Sequence, residues 1–257
     1  MMIAVTGLAT AAVKGTRLRP VKQLELGREG ARGDRRFFVI DARNRMVNGK
    51  HLGELSAVVA DYAEDARKLA LTFPDGRLVE EQIALGEMVT ARFYSICLKA
   101  RLLNGPWSEA LAEFVGQPVA LVESPVGAVD RGSLGAASLI SRASLARLAR
   151  AAEKPGIDGR RFRMLIEIDG VAAHEEDRWV GRTVRIGDAR IRFGGHVGRC
   201  VITSRDPDTG QIDLPTLDIL GTYRRKIGAT EPLPFGIYGE VLRAGTVTVG
   251  DSVALVE

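Results

Sequence analysis

The fold of this chain is organised around one stretch, GRCVITSRDPDTG at residues 198–210, which joins an apparent strand to a tight turn. Pro207 fixes φ for the first corner of a type I turn, the Asp206 carboxylate can accept hydrogen bonds from nearby backbone N–H groups, and Gly210 tolerates a positive φ. The stretch therefore predicts that Cys200 is held beside a rigid corner of the chain.

Cys200 is one of two cysteines, and it has arginine neighbours at Arg199 and Arg205. Guanidinium groups favour the thiolate, which is the form of cysteine that acts as a nucleophile or as a ligand of soft metals. The alternative is a buried cysteine that only packs, and for an arbitrary cysteine packing is the better interpretation. Cys97 has no charged residue beside it and is predicted to be structural.

The composition is that of an ordinary soluble globular protein, with 257 residues, 46% hydrophobic and 26% charged. This length allows one large domain or two modest ones. No apolar run approaches the length of a membrane span and no signal peptide is evident, so we expect a cytoplasmic protein without a membrane partner. The two cysteines form no CxxC pair, which argues against a zinc site or an iron–sulfur cluster, and the compartment argues against a disulfide.

Arginines are abundant although the formal net charge is only +4. Guanidinium groups suit phosphate and carboxylate because each can bind two oxygens at once. Nucleic acid is not favoured as a partner, because aromatic residues make up only 5%, no binding motif is present, and the basic groups are scattered. Scattered arginines that converge on one small anionic ligand explain the pattern as well.

Alternating and β-branched segments predict a mainly β fold with a few helices, of the α+β class. Residues 37–41, FFVID, form a compact apolar strand, and Pro-Asp-Gly at residues 74–76 is typical of a hairpin turn. Arg35 and Arg36 lead into the first of these strands. Successive residues of a strand point to opposite faces, so at most one of the two arginines can line an inward site.

Two helices are predicted from caps and apolar spacing. Ser108 can cap the first helix, which Gly116 ends. Ser141 can cap the second, which Pro155 and Gly156 end.

The last third of the sequence contains a short internal echo. Residues 183–193 and 246–255 both alternate apolar and polar side chains around a Gly-Asp corner. Two such ribbons predict a strongly curved, barrel-like sheet. We therefore expect an N-terminal β-barrel-like region at residues 1–100 and a curved β-barrel domain at residues 101–257.

Several separated motifs together resemble one family, the MOSC domain proteins, preceded by the β-barrel region that often accompanies that domain. The branch that includes the mitochondrial amidoxime-reducing component is the most similar. The motifs, in order, are Val13-Lys14, Gly33-Asp34-Arg35-Arg36-Phe37, Ser138-Leu139-Ile140-Ser141-Arg142-Ala143-Ser144-Leu145, Arg161-Phe162-Arg163, Glu176-Asp177-Arg178-Trp179, Arg199-Cys200 with Asp206-Pro207-Asp208-Thr209-Gly210, Phe235-Gly236-Ile237-Tyr238 and Val249-Gly250-Asp251.

The resemblance implies a molybdenum cofactor enzyme in which Cys200 ligates molybdenum and is the catalytic residue. Basic and polar side chains would then bind the pterin and its phosphate. Carried over by position, the cofactor-binding residues are Lys14, Arg35, Lys50, Ser141, Arg161, Arg163 and Arg199. A helix-cap role explains Ser141 equally well.

One departure from the family pattern concerns the residues after Arg163. Related enzymes tend to have Pro-Asn there, whereas this chain has Met164 and Leu165. An apolar side chain changes what a pocket can hydrogen-bond, so we expect an effect on activity or substrate.

The leading hypothesis from the resemblance is a reductase that removes oxygen from N-hydroxylated or N-/S-oxide small molecules. The oxygen leaves as water after two electrons and two protons are supplied. No cysteine cluster is present for an electron relay, so this hypothesis requires a separate iron–sulfur, haem or flavin donor protein. The alternative is a sulfur carrier or cofactor-delivery protein that uses Cys200 as a persulfide. A third possibility is an anion-binding β protein without catalysis.

Overall fold

The computed structural model describes residues 2–124 and 130–256 of the chain. Strands dominate these residues and three α-helices accompany them, which confirms the predicted mainly β, α+β class. The strands are β1 (Ala4–Thr10), β2 (Arg19–Val21), β3 (Gln23–Gly27), β4 (Gly30–Ala31), β5 (Phe37–Asp41), β6 (Met46–Val47), β7 (Val59–Ala63), β8 (Lys68–Thr72), β9 (Leu78–Gln82), β10 (Ala84–Phe93), β11 (Ile96–Asn104), β12 (Val119–Glu123), β13 (Ala137–Ser141), β14 (Ile166–Asp169), β15 (Thr183–Ile186), β16 (Ala189–Gly198), β17 (Pro234–Arg243), β18 (Gly245–Thr248) and β19 (Val253–Val256). The helices are α1 (Trp107–Val115), α2 (Arg142–Ala151) and α3 (Thr216–Tyr223).

The largest sheet has eight strands in the order β19-β15-β16-β17-β13-β14-β1-β2. Its neighbours are antiparallel except β13 and β14, which run parallel with α2 in the connection between them. The order is open, yet the sheet curls until β1 reaches the turn before β19. Val5 N–H donates to the Asp251 carbonyl oxygen at 2.9 Å, and Val253 N–H donates to the Ile3 carbonyl oxygen at 2.9 Å.

A second sheet, in the order β10-β11-β12-β5-β6, carries the FFVID strand near its centre. Phe37, Phe38, Val39 and Ile40 are all buried, because apolar side chains cover both faces of β5. A three-stranded sheet, β7-β8-β9, shares a core with this sheet and with α1. Burial on both faces explains why the sequence of β5 is continuously apolar instead of alternating.

Helix α1 ends where the sequence predicts and begins differently. Gly116 takes the left-handed conformation at φ 68° and terminates the helix. The residue at the N-terminal cap is Pro106, so the prediction that Ser108 caps this helix is wrong. The Ser108 hydroxyl instead accepts a hydrogen bond from Leu121 N–H at 3.0 Å, which ties the helix to β12.

Helix α2 confirms its predicted cap. The Ser141 hydroxyl accepts a hydrogen bond from Ser144 N–H at 3.1 Å, and the backbone of Ser141 is extended, as an N-cap requires. The buried face of the helix includes Leu145 and Leu148, which pack in a core cluster with Phe162 and Phe235. This packing holds α2 against the large sheet.

Of the two predicted ribbons, only the first forms a hairpin in the structure. Residues 183–198 form the β15–β16 hairpin, which is antiparallel from Thr183–Arg192 to Ile186–Ala189. The second ribbon does not form a hairpin, because β18 pairs with β3 while β19 pairs with β15. The two halves of the second ribbon therefore belong to different sheets.

The division of the chain into residues 1–100 and 101–257 stays a prediction. Residue 100 lies within β11, and β1 belongs to the same sheet as the strands of the last third. Within residues 2–124 and 130–256, no helix combines the length and the apolar character needed to span a bilayer.

Replacement of Trp107 tests the attachment of α1 to the N-terminal sheets. The indole is fully buried, and its N–H donates to the Leu69 carbonyl oxygen at 3.1 Å. Trp107→Phe removes this hydrogen bond and opens a cavity, so we expect a loss of about 1–3 kcal/mol in the free energy of unfolding, measured with urea. Leu78→Ala is the control, because Leu78 is 57% exposed and its truncation should cost under about 0.5 kcal/mol. Equal effects of the two substitutions would contradict this account.

Candidate functional site

Cys200 lies between the end of β16 and a 3-10 turn at Val201–Ser204. Its carbonyl oxygen accepts hydrogen bonds from the Thr203 N–H at 3.1 Å and from the Thr203 hydroxyl at 3.0 Å. The residue is free, half-buried, and lines a cavity of about 420 Å³. The backbone of Cys200 is thus fixed while its thiol side remains partly accessible.

The corner predicted after Cys200 forms as expected. One Asp206 carboxylate oxygen accepts hydrogen bonds from Asp208 N–H at 3.0 Å and from Thr209 N–H at 2.8 Å. Gly210 has φ 75°, and its N–H donates to the Asp206 carbonyl oxygen at 2.9 Å. These bonds hold the pKa of Asp206 below its ordinary value despite the opposing effect of burial.

The cavity brings together six of the eight residues that the sequence assigned to the site. These are Lys14, Arg35, Lys50, Arg163, Arg199 and Cys200. They come from positions almost 190 residues apart, so the cavity is a product of the tertiary fold.

Lys14 and Arg35 reach the cavity because their segment is laid along β5. Val13 forms a bridge with Phe37, and Lys14 N–H donates to the Phe37 carbonyl oxygen at 2.8 Å. Arg35 and Arg36 diverge as predicted: Arg35 lines the cavity, while Arg36 Nε donates to Glu123 at 2.7 Å.

Arg35 and Arg163 tie the N-terminal segment to the later part of the chain. Arg35 Nη2 donates to the Arg163 carbonyl oxygen at 2.8 Å, and Arg163 Nη2 donates to the Thr16 carbonyl oxygen at 2.8 Å. Both arginines have left-handed backbones, with φ 47° and 54°. That conformation is unfavourable for side chains other than glycine and is typical of positions that the surrounding structure holds for a function.

The cations at this end of the cavity repel one another. Burial and the neighbouring charge of Arg35 together lower the pKa of Arg163 to about 10, although Asp34 and Asp130 oppose them. Burial also lowers the pKa of Lys14, while Asp130 opposes and Arg35 adds to that effect. Positive charges that are buried together favour a bound anion, because it stabilises the charged forms of all of them.

Arg199 has a structural role beside Cys200. Its guanidinium donates to the carbonyl oxygens of Phe162, at 2.9 Å, and Phe235, and to the Met164 sulfur at 3.0 Å. Burial lowers its pKa to about 9. Met164, the departure from the family pattern, thus lines the cavity as a thioether that accepts a hydrogen bond from Arg199.

Seven polar residues on the cavity were missed as site residues from sequence. Asn48 precedes Lys50 in a turn, with its side chain accepting from Lys50 N–H at 2.9 Å. Tyr94 lies at the β10–β11 turn, and Asp130 and Arg131 precede β13. The other three lie in stretches that the sequence had already singled out, which was the available signal. The cavity residues omitted are Asn48, Tyr94, Asp130, Arg131, Ser138, Thr203 and Tyr238.

Arg161 does not line the cavity. Its guanidinium forms two bonds of 2.6 Å with the Asp213 carboxylate and one of 2.7 Å with the Arg205 carbonyl oxygen. These partners hold the 206–213 loop, so Arg161 acts through the position of that loop.

Ser141 also lies away from the cavity, in a buried hydrogen-bond cluster. Its hydroxyl donates to Glu176 at 2.9 Å, and the Ser144 hydroxyl donates to the same carboxylate at 2.7 Å. Burial raises the pKa of Glu176, although these bonds oppose the effect. The geometry favours the helix-cap role of Ser141.

Comparison with known proteins identifies a family for the second half of the chain. The MOSC domain family model matches residues 128–254, and this part of the chain is a MOSC domain. The chain as a whole resembles the mitochondrial amidoxime-reducing components.

Three curated relatives differ in how much of the chain they match. Mitochondrial amidoxime reducing component 2 of Bos taurus is 38% identical over 122 residues, which are 45% of this chain and 35% of the relative. Component 1 of Xenopus laevis is 26% identical over 94% of this chain and 78% of the relative. Molybdenum cofactor sulfurase of Oryza sativa is 31% identical over 38% of this chain and 12% of the relative. The first of these matches thus spans about a third of its relative's length.

Among solved structures, the YuaD protein from Bacillus subtilis superposes with a TM-score of 0.46 at 12% identity, covering 98% of this chain and 94% of that chain. The YiiM protein from Geobacillus stearothermophilus gives a TM-score of 0.36 at 17% identity over 48% and 55%.

Ser141→Ala separates the two roles considered for that residue. Loss of the cap and of one donor to buried Glu176 should lower the free energy of unfolding by about 1–3 kcal/mol. The affinity of the cavity for sulfate, used as a probe anion, should be unchanged. Urea unfolding and calorimetric titration measure the two effects. Ser144→Ala is the matched control, since Ser144 shares Glu176. Weaker sulfate binding in Ser141→Ala alone would restore Ser141 as an anion contact.

Proposed function

We propose that this chain binds a molybdenum cofactor and uses it to reduce small molecules. The observation that carries the proposal is the cavity itself, which is lined both by the cations Lys14, Arg35 and Arg163 and by the free Cys200 thiol. The MOSC domain at residues 128–254 and the similarity to amidoxime-reducing components and to a molybdenum cofactor sulfurase support it.

The donor set fits the cofactor in its chemistry. A pterin with a phosphate tail needs cationic groups for the phosphate, and Lys14, Arg35 and Arg163 supply three that already repel one another. A molybdenum centre accepts a soft sulfur ligand, and Cys200 supplies a half-buried thiol. The volume of about 420 Å³ is in the range of small-molecule sites.

Residues at the two ends of the cavity would hold different parts of the group. Lys14, Arg35 and Arg163 would bind the phosphate, with Lys50 beside them on the rim, and Cys200 would ligate the metal. When bound, the cofactor supplies two-electron redox chemistry at molybdenum. The chain supplies position and charge: Arg199 fixes the backbone next to Cys200 through the Phe162 and Phe235 carbonyls.

We propose N-hydroxylated compounds and N- or S-oxides as the substrate class. Two electrons and two protons are consumed, the N–O or S–O bond breaks, and the oxygen leaves as water. Met164 stands where related enzymes tend to have Pro, and Leu165 stands where they tend to have Asn. Met164 lines the cavity and its thioether accepts a hydrogen bond from Arg199, whereas Leu165 is buried in the core of the large sheet. Neither side chain offers a substrate the hydrogen bond of an amide.

The electrons would come from a separate iron–sulfur, haem or flavin protein. Within residues 2–124 and 130–256, no group of three or more His, Cys, Asp or Glu side chains is arranged to hold a metal ion. We place the reaction in the cytoplasm and expect neither nucleic acid nor a membrane as a partner.

Sulfur carriage is the second candidate function. The match to molybdenum cofactor sulfurase and the half-buried free thiol of Cys200 favour it. In this case Cys200 would carry a persulfide, and the basic end of the cavity would hold the cofactor during delivery.

Elemental analysis of protein from a host that makes the cofactor tests the proposal. We expect about one molybdenum per chain, and at least a tenfold loss in Cys200→Ala because the sulfur ligand is absent. Cys97→Ala is the matched control, since Cys97 is exposed and lies outside the cavity. Wild-type protein without molybdenum would overturn the reductase, and cyanide-labile sulfur on Cys200 would favour the carrier.

Arg163→Ala tests the basic end in the same preparation. Loss of one buried cation should lower cofactor retention at least tenfold. Arg160→Ala is the control, because Arg160 pairs with Asp158 and Asp208 outside the cavity. Unchanged retention in Arg163→Ala would remove Arg163 from the site.

A further inference from the structure

An acidic side chain already occupies the basic end of the cavity. Asp130 Oδ1 lies 2.5 Å from Lys14 Nζ. The Lys14 side chain is only 7% exposed, whereas that of Asp130 is 48% exposed. The pair therefore joins a fixed, buried cation to a carboxylate that can turn towards solvent.

Asp130 interacts with more of the cavity wall than Lys14 alone. Lys14 and Arg35, together with a hydrogen bond to the Tyr94 hydroxyl, hold the pKa of the Asp130 carboxyl below its usual range despite burial. The carboxylate is thus ionised at neutral pH, and it lies where the charges of Lys14 and Arg35 attract an anion.

The backbone beside Asp130 is held on the opposite wall. Arg131 pairs with Glu231 at 2.5 Å and stacks on the Tyr238 ring at 4.3 Å. Arg131 and Gly132 are both left-handed, with φ 69° and 55°. This anchoring keeps the Asp130 backbone at the cavity, so a change in the partners of Asp130 requires only its side chain to move.

Simple electrostatics then restricts which ligands can replace Asp130. Exchanging one carboxylate for a singly charged anion leaves the number of charges beside Lys14 and Arg35 unchanged. A doubly charged anion adds one further favourable interaction with each cation, in a site where burial strengthens it.

We propose that Asp130 is an internal carboxylate that competes with the ligand for Lys14: a doubly charged phosphate ester, which gains one further interaction with each cation, displaces it, whereas singly charged anions bind poorly. This deepens the proposed function and rests on it only for the identity of the ester. The displaced carboxylate turns to solvent, and no bond is made or broken.

Asp130→Asn tests the proposal in cofactor-free protein, with sulfate as a dianion and nitrate as a monoanion. Calorimetric titration at constant ionic strength should show sulfate binding to wild type at least tenfold more tightly than nitrate. In Asp130→Asn, sulfate and nitrate affinities should each rise roughly tenfold, because neither then has to displace a charge. Asp65→Asn is the matched control, since Asp65 is an exposed carboxylate that pairs with Arg32.

Unchanged or weaker sulfate binding in Asp130→Asn would overturn the proposal, and weaker binding would show that Asp130 positions Lys14 for the ligand. Absence of sulfate binding in both proteins would also overturn it. Asp130→Ser is the second variant if the first unfolds, as judged by its thermal midpoint. Failure of the proposed function is distinct, because it appears as missing molybdenum and not in sulfate titrations.

Discussion

Two arginines, Arg35 and Arg163, join the N-terminal segment to the later part of the chain, and both donate to backbone carbonyl oxygens. Arg35 donates to the Arg163 carbonyl oxygen, and Arg163 donates to the Thr16 carbonyl oxygen. Carbonyl oxygens satisfy the N–H groups but do not neutralise the charge. Asp34 pairs with Arg35 at 2.5 Å and neutralises that cation, whereas Arg163 interacts with Asp34 and Asp130 only through their charges.

The sheet topology explains why these cations meet. Strand β1 lies beside β14 in the large sheet, so the segment that follows β1 passes close to the turn that carries Arg163. Bridging of Val13 to Phe37 then brings Lys14 and Arg35 to the same end. The cavity thus forms between segments that follow β1 of the large sheet and precede β5 of the second sheet. Residues from both halves of the sequence line it.

Part of the structure could be predicted from interactions between residues that are close in sequence. The corner after Cys200 and the Ser141 cap follow from side chains that bond to backbone within four residues, which sequence displays directly. Arg35 and Arg36 diverge for a different reason from the one predicted: both precede β5, and Arg35 has a left-handed backbone at φ 47°.

The sequence does not determine which strands pair or which of two hydrogen-bond partners a side chain takes. The ribbon at residues 246–255 has the same pattern as the β15–β16 hairpin, yet β18 and β19 join different partners, because a strand pattern does not specify its neighbour. Ser108 could serve as a cap or as an acceptor for Leu121 N–H, and only packing decides between them. Arg161 and Ser141 bond to partners outside the cavity, and residue type alone cannot distinguish them from the lining residues of the same motifs.

The cations and the thiol that line the cavity have different surroundings. Lys14 is paired with Asp130, and Arg163 is close enough to Arg35 for their charges to repel. Arg199 is engaged by two carbonyls and by Met164, which leaves Cys200 as a half-buried free thiol. Since Met164 takes up a guanidinium N–H of Arg199, an apolar residue here does not leave that donor unpaired in the cavity. The substitution that departs from the family pattern therefore changes what a substrate can contact beside Cys200 while the anion end keeps its own set of contacts.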